Sequence, residues 1–143
     1  MATQCSNHYL FQLHSGLIDW DTDAASARLM ATTFTYNQDT DATWTNISAS
    51  EHANANGYTT GGDLWDGAVT VSEDDTNNRS DVTKANDPTW TASGGSIVSP
   101  GAALVNTTTV DDTVCGYIDF GGDQTATSGG TFTITGITLR LAN

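Results

Sequence analysis

The chain has 143 residues, enough for one domain with a real core and too few for two comfortable ones. Its hydrophobic fraction of 37 % is below the usual globular range, which suits a flat β-sandwich or a subunit that completes its burial against a partner. Seventeen acids against four scattered bases, Arg28, Arg79, Lys84 and Arg140, give a formal net charge of −13; no basic patch can form, which argues against nucleic-acid backbones and anionic membranes as partners.

The start, Met1-Ala2-Thr3-Gln4-Cys5, has neither a basic region nor an apolar run of the secretory kind, and no stretch approaches the ~18 apolar residues of a membrane helix. The expectation is synthesis and retention in the cytoplasm unless another route carries the protein out. Residues 6–15 read as a short helix or ordered arm. Ser6 can cap it, Tyr9, Leu10, Leu13 and Leu17 recur at helical spacing, and Gly16 ends it in a left-handed conformation. Residues 25–36 form the first strand candidate, with Ala27, Leu29 and Ala31 alternating and Phe34 and Tyr36 following. Residues 37–43 are turn-like. A short helix is expected within 44–54, capped by Ser48 with Glu51 at capping-box spacing, or by Thr45.

From Gly57 the pattern is β throughout. Residues 64–73 alternate, with Val69 and Val71 on one face, and residues 74–78 are a polar hairpin turn. Short strands follow at 79–83 and 89–93, then turns at Gly94-Gly95 and Pro100-Gly101. Strands are expected at 102–107 and 113–120, a loop at 121–130, and a last strand over 131–141 in which Gly136 marks a bulge. Turn signals about every ten residues without long helical patterns predict a mainly β fold, an antiparallel β-sandwich or jelly roll. The expected division is a short N-terminal helix or arm over 1–16 and a single β-sandwich domain over 17–143.

The chemistry-bearing residues do not assemble into a known motif. Asp19, Asp21 and Asp23 begin like a calcium loop, but Ala24 and Met30 stand where Gly and Glu are required, so turn acids that cap amides are the reading. The pairs Asp74-Asp75 and Asp111-Asp112 are read alike. His8 and His14 miss the spacing of a helical metal pair, and His52 is a surface histidine. Cys5 and Cys115 fit no CxxC or metal spacing; buried or free thiols are expected, with one disulfide as the alternative. Nucleophile elbows and phosphate loops are absent, and with so many acids no carboxylate pair stands out for glycoside hydrolysis. The expectation is a protein without catalytic residues, metal or cofactor. Trp20, Trp44, Trp65 and Trp90 could stack on sugars, though core or interface anchoring is the more usual use of such residues.

Several stretches, taken in order, resemble a known group. They are Leu17-Ile18-Asp19-Trp20-Asp21-Thr22-Asp23, Gly57-Tyr58-Thr59-Thr60-Gly61-Gly62, Pro88-Thr89-Trp90-Thr91, Gly116-Tyr117-Ile118-Asp119-Phe120-Gly121-Gly122-Asp123-Gln124 and Gly130-Thr131-Phe132-Thr133-Ile134. The series, covering roughly residues 7–141, is similar to small structural proteins of tailed bacteriophages. What the resemblance implies is a virion component, best fitted by a jelly-roll capsid decoration (cement) protein on the capsid exterior. Its partner would be the major capsid protein, and it would form a homo-oligomer, dimer or trimer. A tail, fibre or adaptor protein is the alternative, and a carbohydrate-binding module a more distant one. The apolar N-terminal segment fits an anchoring role, so Tyr9, Leu10, Phe11, Leu13, Leu17 and Trp20 are the candidate interface residues; the competing reading is that this segment covers one open end of the sandwich.

Overall fold

The structure, a computed structural model, describes residues 3–142. Met1 and Ala2, on which the reading of the N-terminal start partly rests, and Asn143, the end of the expected sandwich domain, lie outside the described residues. The fold is mainly β, and every strand pairing is antiparallel. In chain order the elements are β1 (Gln4–Cys5), α1 (Asn7–His14), β2 (Ala25–Leu29), α2 (Trp44–Ile47), β3 (Asp63–Trp65), β4 (Val69–Asp74), β5 (Arg79–Lys84), β6 (Thr89–Thr91), β7 (Ile97–Asn106), β8 (Val114–Ala126), β9 (Thr131–Thr133) and β10 (Leu139–Ala142). They form a five-stranded sheet in the order β1-β8-β7-β2-β3, a three-stranded sheet β10-β5-β4 and a two-stranded sheet β6-β9.

The main core lies against one face of the large sheet. Ala25, Ala27 and Leu29 of β2, Trp65 of β3, Ala102 and Leu104 of β7 and Ile118 of β8 meet Val82, Trp90, Phe132 and Leu139 of the smaller sheets. The opposite face of the large sheet is covered as well. Met30, Ala103, Val105, Val114 and Tyr117 pack beneath Phe34, Tyr36, Trp44 and Ile47, all from the 31–51 segment. Tyr36 stacks on Tyr117 at 5.5 Å, and Phe34 meets the same ring edge-on. Burial on both faces explains why all of β2 is buried although its sequence alternates, with Ser26 and Arg28 covered on the second face and Ala25, Ala27 and Leu29 on the first.

The N-terminal residues are packed onto this body. Ser6 caps α1 by accepting the Tyr9 N–H at 3.0 Å, and Gly16 leaves the helix at φ 68°. Tyr9 is 1 % exposed in the main core, and β1 extends the large sheet by pairing with β8.

Several boundaries differ from the sequence reading, each for a local reason. The first strand stops at Leu29 instead of Tyr36, because Met30 bridges to Glu51 and the chain turns away to cover the second face. The cap of α2 is Thr43, not Ser48 or Thr45: the Thr43 N–H donates to Asn46 Oδ1 at 3.0 Å, the return half of a capping box. Pro100-Gly101 is no turn. It sits inside β7, where the register with β8 shifts between Ser99 and Gly101. Ser99 Oγ bonds the Met30 and Gly101 carbonyls there at 2.8 and 2.7 Å, which absorbs the break that proline makes in the ladder. Residues 121–126, expected in a loop, continue β8, and Gln124, Thr125 and Ala126 pair with the start of β7. The last expected strand splits in two: Gly136, at φ 64°, turns the chain so that β9 pairs with β6 and β10 with β5.

Leu104→Ala and Ile118→Ala should each lower the unfolding free energy by about 2–5 kcal/mol. Gly101→Ala should also destabilise, because its Cβ would run into the Tyr117 hydroxyl and the Ile118 carbonyl. Denaturant titration followed by tryptophan fluorescence measures all three. A Gly101→Ala loss below about 0.5 kcal/mol, the scale of an ordinary surface change, would contradict this close packing of β7 on β8.

Candidate functional site

The apolar N-terminal segment divides cleanly once it is folded. A helix only eight residues long can turn one face to the core. Tyr9 takes that face, and Leu10 and Leu13 pack partly against the main cluster. Trp20, in the loop after the helix, is 6 % exposed and donates its indole N–H to the Tyr9 hydroxyl at 3.1 Å. Burial pushes the Tyr9 phenol well above its ordinary value, so it stays neutral and accepts this bond. Of the six candidate interface residues, Tyr9 and Trp20 therefore belong to the core, Leu10 and Leu13 are half-buried, and Phe11 and Leu17 are exposed at 62 % and 60 %.

The half-buried residues border a groove. A cavity of about 300 Å³ runs between α1 with its following loop and the β4-β5-β10 sheet. Tyr9, Leu13, Ile18 and Trp20 line one wall; Val71, Val82, Leu139 and Leu141 line the other. Val71 stands on edge strand β4 and is 63 % exposed. It was visible in the sequence only as one member of an alternating pair with Val69. Its exposure follows from β4 having a neighbour on one side alone. Beside this groove a more polar depression of about 600 Å³ is bordered by Leu10, His14, Asp74, Arg79 and Arg140. The two share Ser80 and Leu141.

The acidic loop at the groove mouth is built on its own amides. Asp19 Oδ1 accepts the Asp21 N–H at 3.1 Å, and Asp23 Oδ2 accepts the Asp19 N–H at 3.1 Å and the Asn106 side-chain amide at 2.7 Å. Lys84 closes the arrangement. Its ammonium donates to the Asp23 carbonyl at 2.7 Å and lies 5.4 Å from the centre of the Trp20 ring and 5.9 Å from that of Trp65. Burial pulls the Lys84 pKa down, while the Asp23 charge resists this. Among the described residues, no group of three or more His, Cys, Asp and Glu side chains is placed to hold a metal ion.

A second cluster ties the outer face of α1 to the β7–β8 loop. His8 Nε2 lies 2.7 Å from Asp111 Oδ2, the Gln12 amide donates to that oxygen at 3.1 Å, and the Thr113 hydroxyl donates to Asp111 Oδ1 at 2.7 Å. These contacts converge on one carboxylate and hold the helix in place. His14 borders the polar depression, and His52 rests edge-on against Tyr58 at 5.1 Å. Cys5 and Cys115 are free thiols, and desolvation in the fully buried site pushes the Cys115 thiol up, away from the reactive thiolate.

Two of these carboxylates link the structure to pH. At Asp81, the bidentate bond from Arg140 holds the pKa below its ordinary 3.8. At Asp111, burial pushes the pKa up, but the hydrogen bonds from Thr113 and His8 outweigh it and the net shift is downward from 3.8. A depressed carboxyl contributes stability that is complete above its unfolded value and is lost as pH falls through its folded one. Stability should therefore decline on acidification below about pH 4. Asp111→Asn and Asp81→Asn should each flatten that decline in denaturant titrations run across the acid range, and an unchanged slope in both variants would refute the assignment. No known protein family, curated protein or solved structure matches the chain.

Proposed function

We propose that the protein is a bacteriophage capsid decoration (cement) protein, which binds the outer capsid surface through the major capsid protein and stabilises the shell. The observation that carries this reading is the exposed apolar surface of α1 and the residues that follow it. Phe11 and Leu17 are each more than half exposed on a chain of net charge −13, and Val71, also exposed, lines the groove beside the helix. Exposed apolar side chains of this kind suit docking on another protein surface.

The residue series that resembles phage structural proteins supports the reading from another side. Its members occupy fixed points of the fold: Trp20 and Asp23 in the buried loop, Trp90 in β6, Tyr117 and Ile118 in β8, Phe132 in β9. The acidic exterior fits a surface that faces medium instead of packaged nucleic acid. The jelly-roll connectivity, the dimeric or trimeric state and the place on the capsid exterior, after synthesis in the host cytoplasm, are parts of this proposal. Shell stabilisation follows from avidity, as many modest contacts across several capsid subunits raise the barrier to opening.

Quantitative gels of purified particles should find the protein in near-stoichiometric ratio to the major capsid protein. A few copies per particle would assign it to the tail, fibre or adaptor class instead, and absence would remove the virion reading. The double variant Phe11→Asp/Leu17→Asp should bind undecorated heads at least about tenfold more weakly, a change of ~1.4 kcal/mol. Its folding stability should move by no more than about 0.5 kcal/mol per site, because both side chains are already in water. Unchanged decoration by this variant would show that the exposed apolar side chains of this segment are not the docking surface.

A further inference from the structure

The chain has four permanent or near-permanent cations, and three of them are bound to oxygen within the fold. Arg140 grips Asp81 with two bonds of 2.8 Å, Arg79 lies 3.1 Å from Asp74, and Lys84 donates to the Asp23 carbonyl at 2.7 Å. Arg28 is the exception. It projects from β2 on the second face of the large sheet and is only 9 % exposed. Its Nε donates to Ser26 Oγ at 3.0 Å, and its guanidinium carbon lies 4.3 Å from the centre of the Trp44 ring. Among the described residues no carboxylate oxygen comes within 4.0 Å of it.

The two terminal nitrogens of Arg28 have no acceptor among the described residues, yet they are not among the chain's fully enclosed unpartnered atoms, so they reach the surface. Glu51 and Asp112 act on the guanidinium only through space. Glu51 Oε1 is already committed to the Tyr58 hydroxyl and the Gly61 N–H, both at 2.7 Å. A largely buried guanidinium with open donors is costly unless an acceptor completes it. A chain with seventeen acids has ample means to supply one from within, and here it does not. Leu64, the cross-strand neighbour of the Ser26 that Arg28 bonds, is 54 % exposed. Arginine fixed on tryptophan, with an exposed aliphatic side chain on the neighbouring strand, is the composition of an interface hot spot.

We propose that Arg28, held rigid on Trp44 and with Leu64 on the neighbouring strand, is the anchor of a second protein-binding surface, which takes a carboxylate side chain from its partner. The planar fork of the guanidinium presents both terminal nitrogens to one carboxylate in a way an ammonium cannot. This surface lies on the opposite face of the large sheet from the core that holds Tyr9 of α1, and it does not depend on the virion reading. Because Glu51 and Asp112 weaken the local positive field, an isolated carboxylate binds weakly, and the site gains strength as the centre of a larger contact.

The test uses acetate as the probe, with chloride at equal ionic strength as the control, and follows the Arg28 Nε–H and Trp44 indole N–H resonances of the intact protein. Acetate should shift both saturably and chloride should not. Arg28→Gln should abolish the Trp44 response, and Arg28→Lys should weaken it at least about tenfold, since it keeps the charge and loses the fork. Shifts that rise linearly without saturation, that match those of chloride, or that survive in Arg28→Gln overturn the proposal. Should Arg28→Gln not fold, Arg28→Lys decides: an affinity for acetate equal to that of the parent protein overturns it.

Discussion

The structure depends on one constraint: β2, most of β7 and residues 114–118 of β8 are buried on both faces, so the chain must supply two covers for a single sheet. One cover is the pair of small sheets together with α1, whose apolar side chains close over Ala25, Ala27, Leu29, Ala102, Leu104 and Ile118. The other is the 31–51 segment, pinned where Met30 bridges Glu51 and again where Thr43 bridges Thr113. Covering both faces leaves no water to satisfy polar groups at the centre. Ser99 and Asn106 are bonded internally, Ser99 to the Met30 and Gly101 carbonyls and Asn106 to Asp23 and to the Thr108 and Thr109 amides. A chain with only 37 % hydrophobic residues can still close two layers in this way, because the central strands use small residues that let the layers approach.

This arrangement also explains what could be read from the sequence. The β class was legible because turn residues recur and because the exposed strands β4, β6 and β9 keep their alternation. The first helix was legible because its cap and its terminating glycine act locally, at Ser6 and Gly16. The central strands were legible in place but not in extent: strands were expected over 25–36, 102–107 and 113–120, whereas β2 is shorter and β7 and β8 are longer. The apolar residues that follow β2 continue its pattern, so its end could not be told from the cover that follows it. Glycine and proline within 100–101 and 121–122 signal a turn in isolation. Here they lie inside β7 and β8, whose register shifts between Ser99 and Gly101 and resumes beyond it. The break at Gly136 separates two sheets, and residues 131–141 alone carry no sign of which partner each half will find.

The candidate surface was legible as a segment and not as individual side chains. Five apolar residues between Tyr9 and Leu17 exceed what one face of a short helix can bury, so some had to remain outside. Which ones depends on where the core lies. Tyr9 points into it and is locked by the indole of Trp20, while Phe11, two residues on, lies on the far side of the helix against His8. Val71 lines the adjacent groove from a strand more than fifty residues away in sequence, brought there by the pairing of β4 with β5. The segment thus packs one face on the core and leaves Phe11 and Leu17 in water.

The charge pattern adds the last step. A net charge of −13 gives a long-range repulsive field between like-charged surfaces, so attractive contacts are left to short-range chemistry. Short-range chemistry is what the two faces present. On the side of the main core stand the exposed apolar residues Phe11, Leu17 and Val71; on the other side stand Trp44, Leu64 and the guanidinium of Arg28, which no carboxylate among the described residues engages within contact distance. A repulsive field around specific contact points selects against non-specific association while tolerating a partner that matches them. With one docking surface proposed on each side of the sheet, selectivity would therefore come from these few side chains and not from the charge of the surface as a whole.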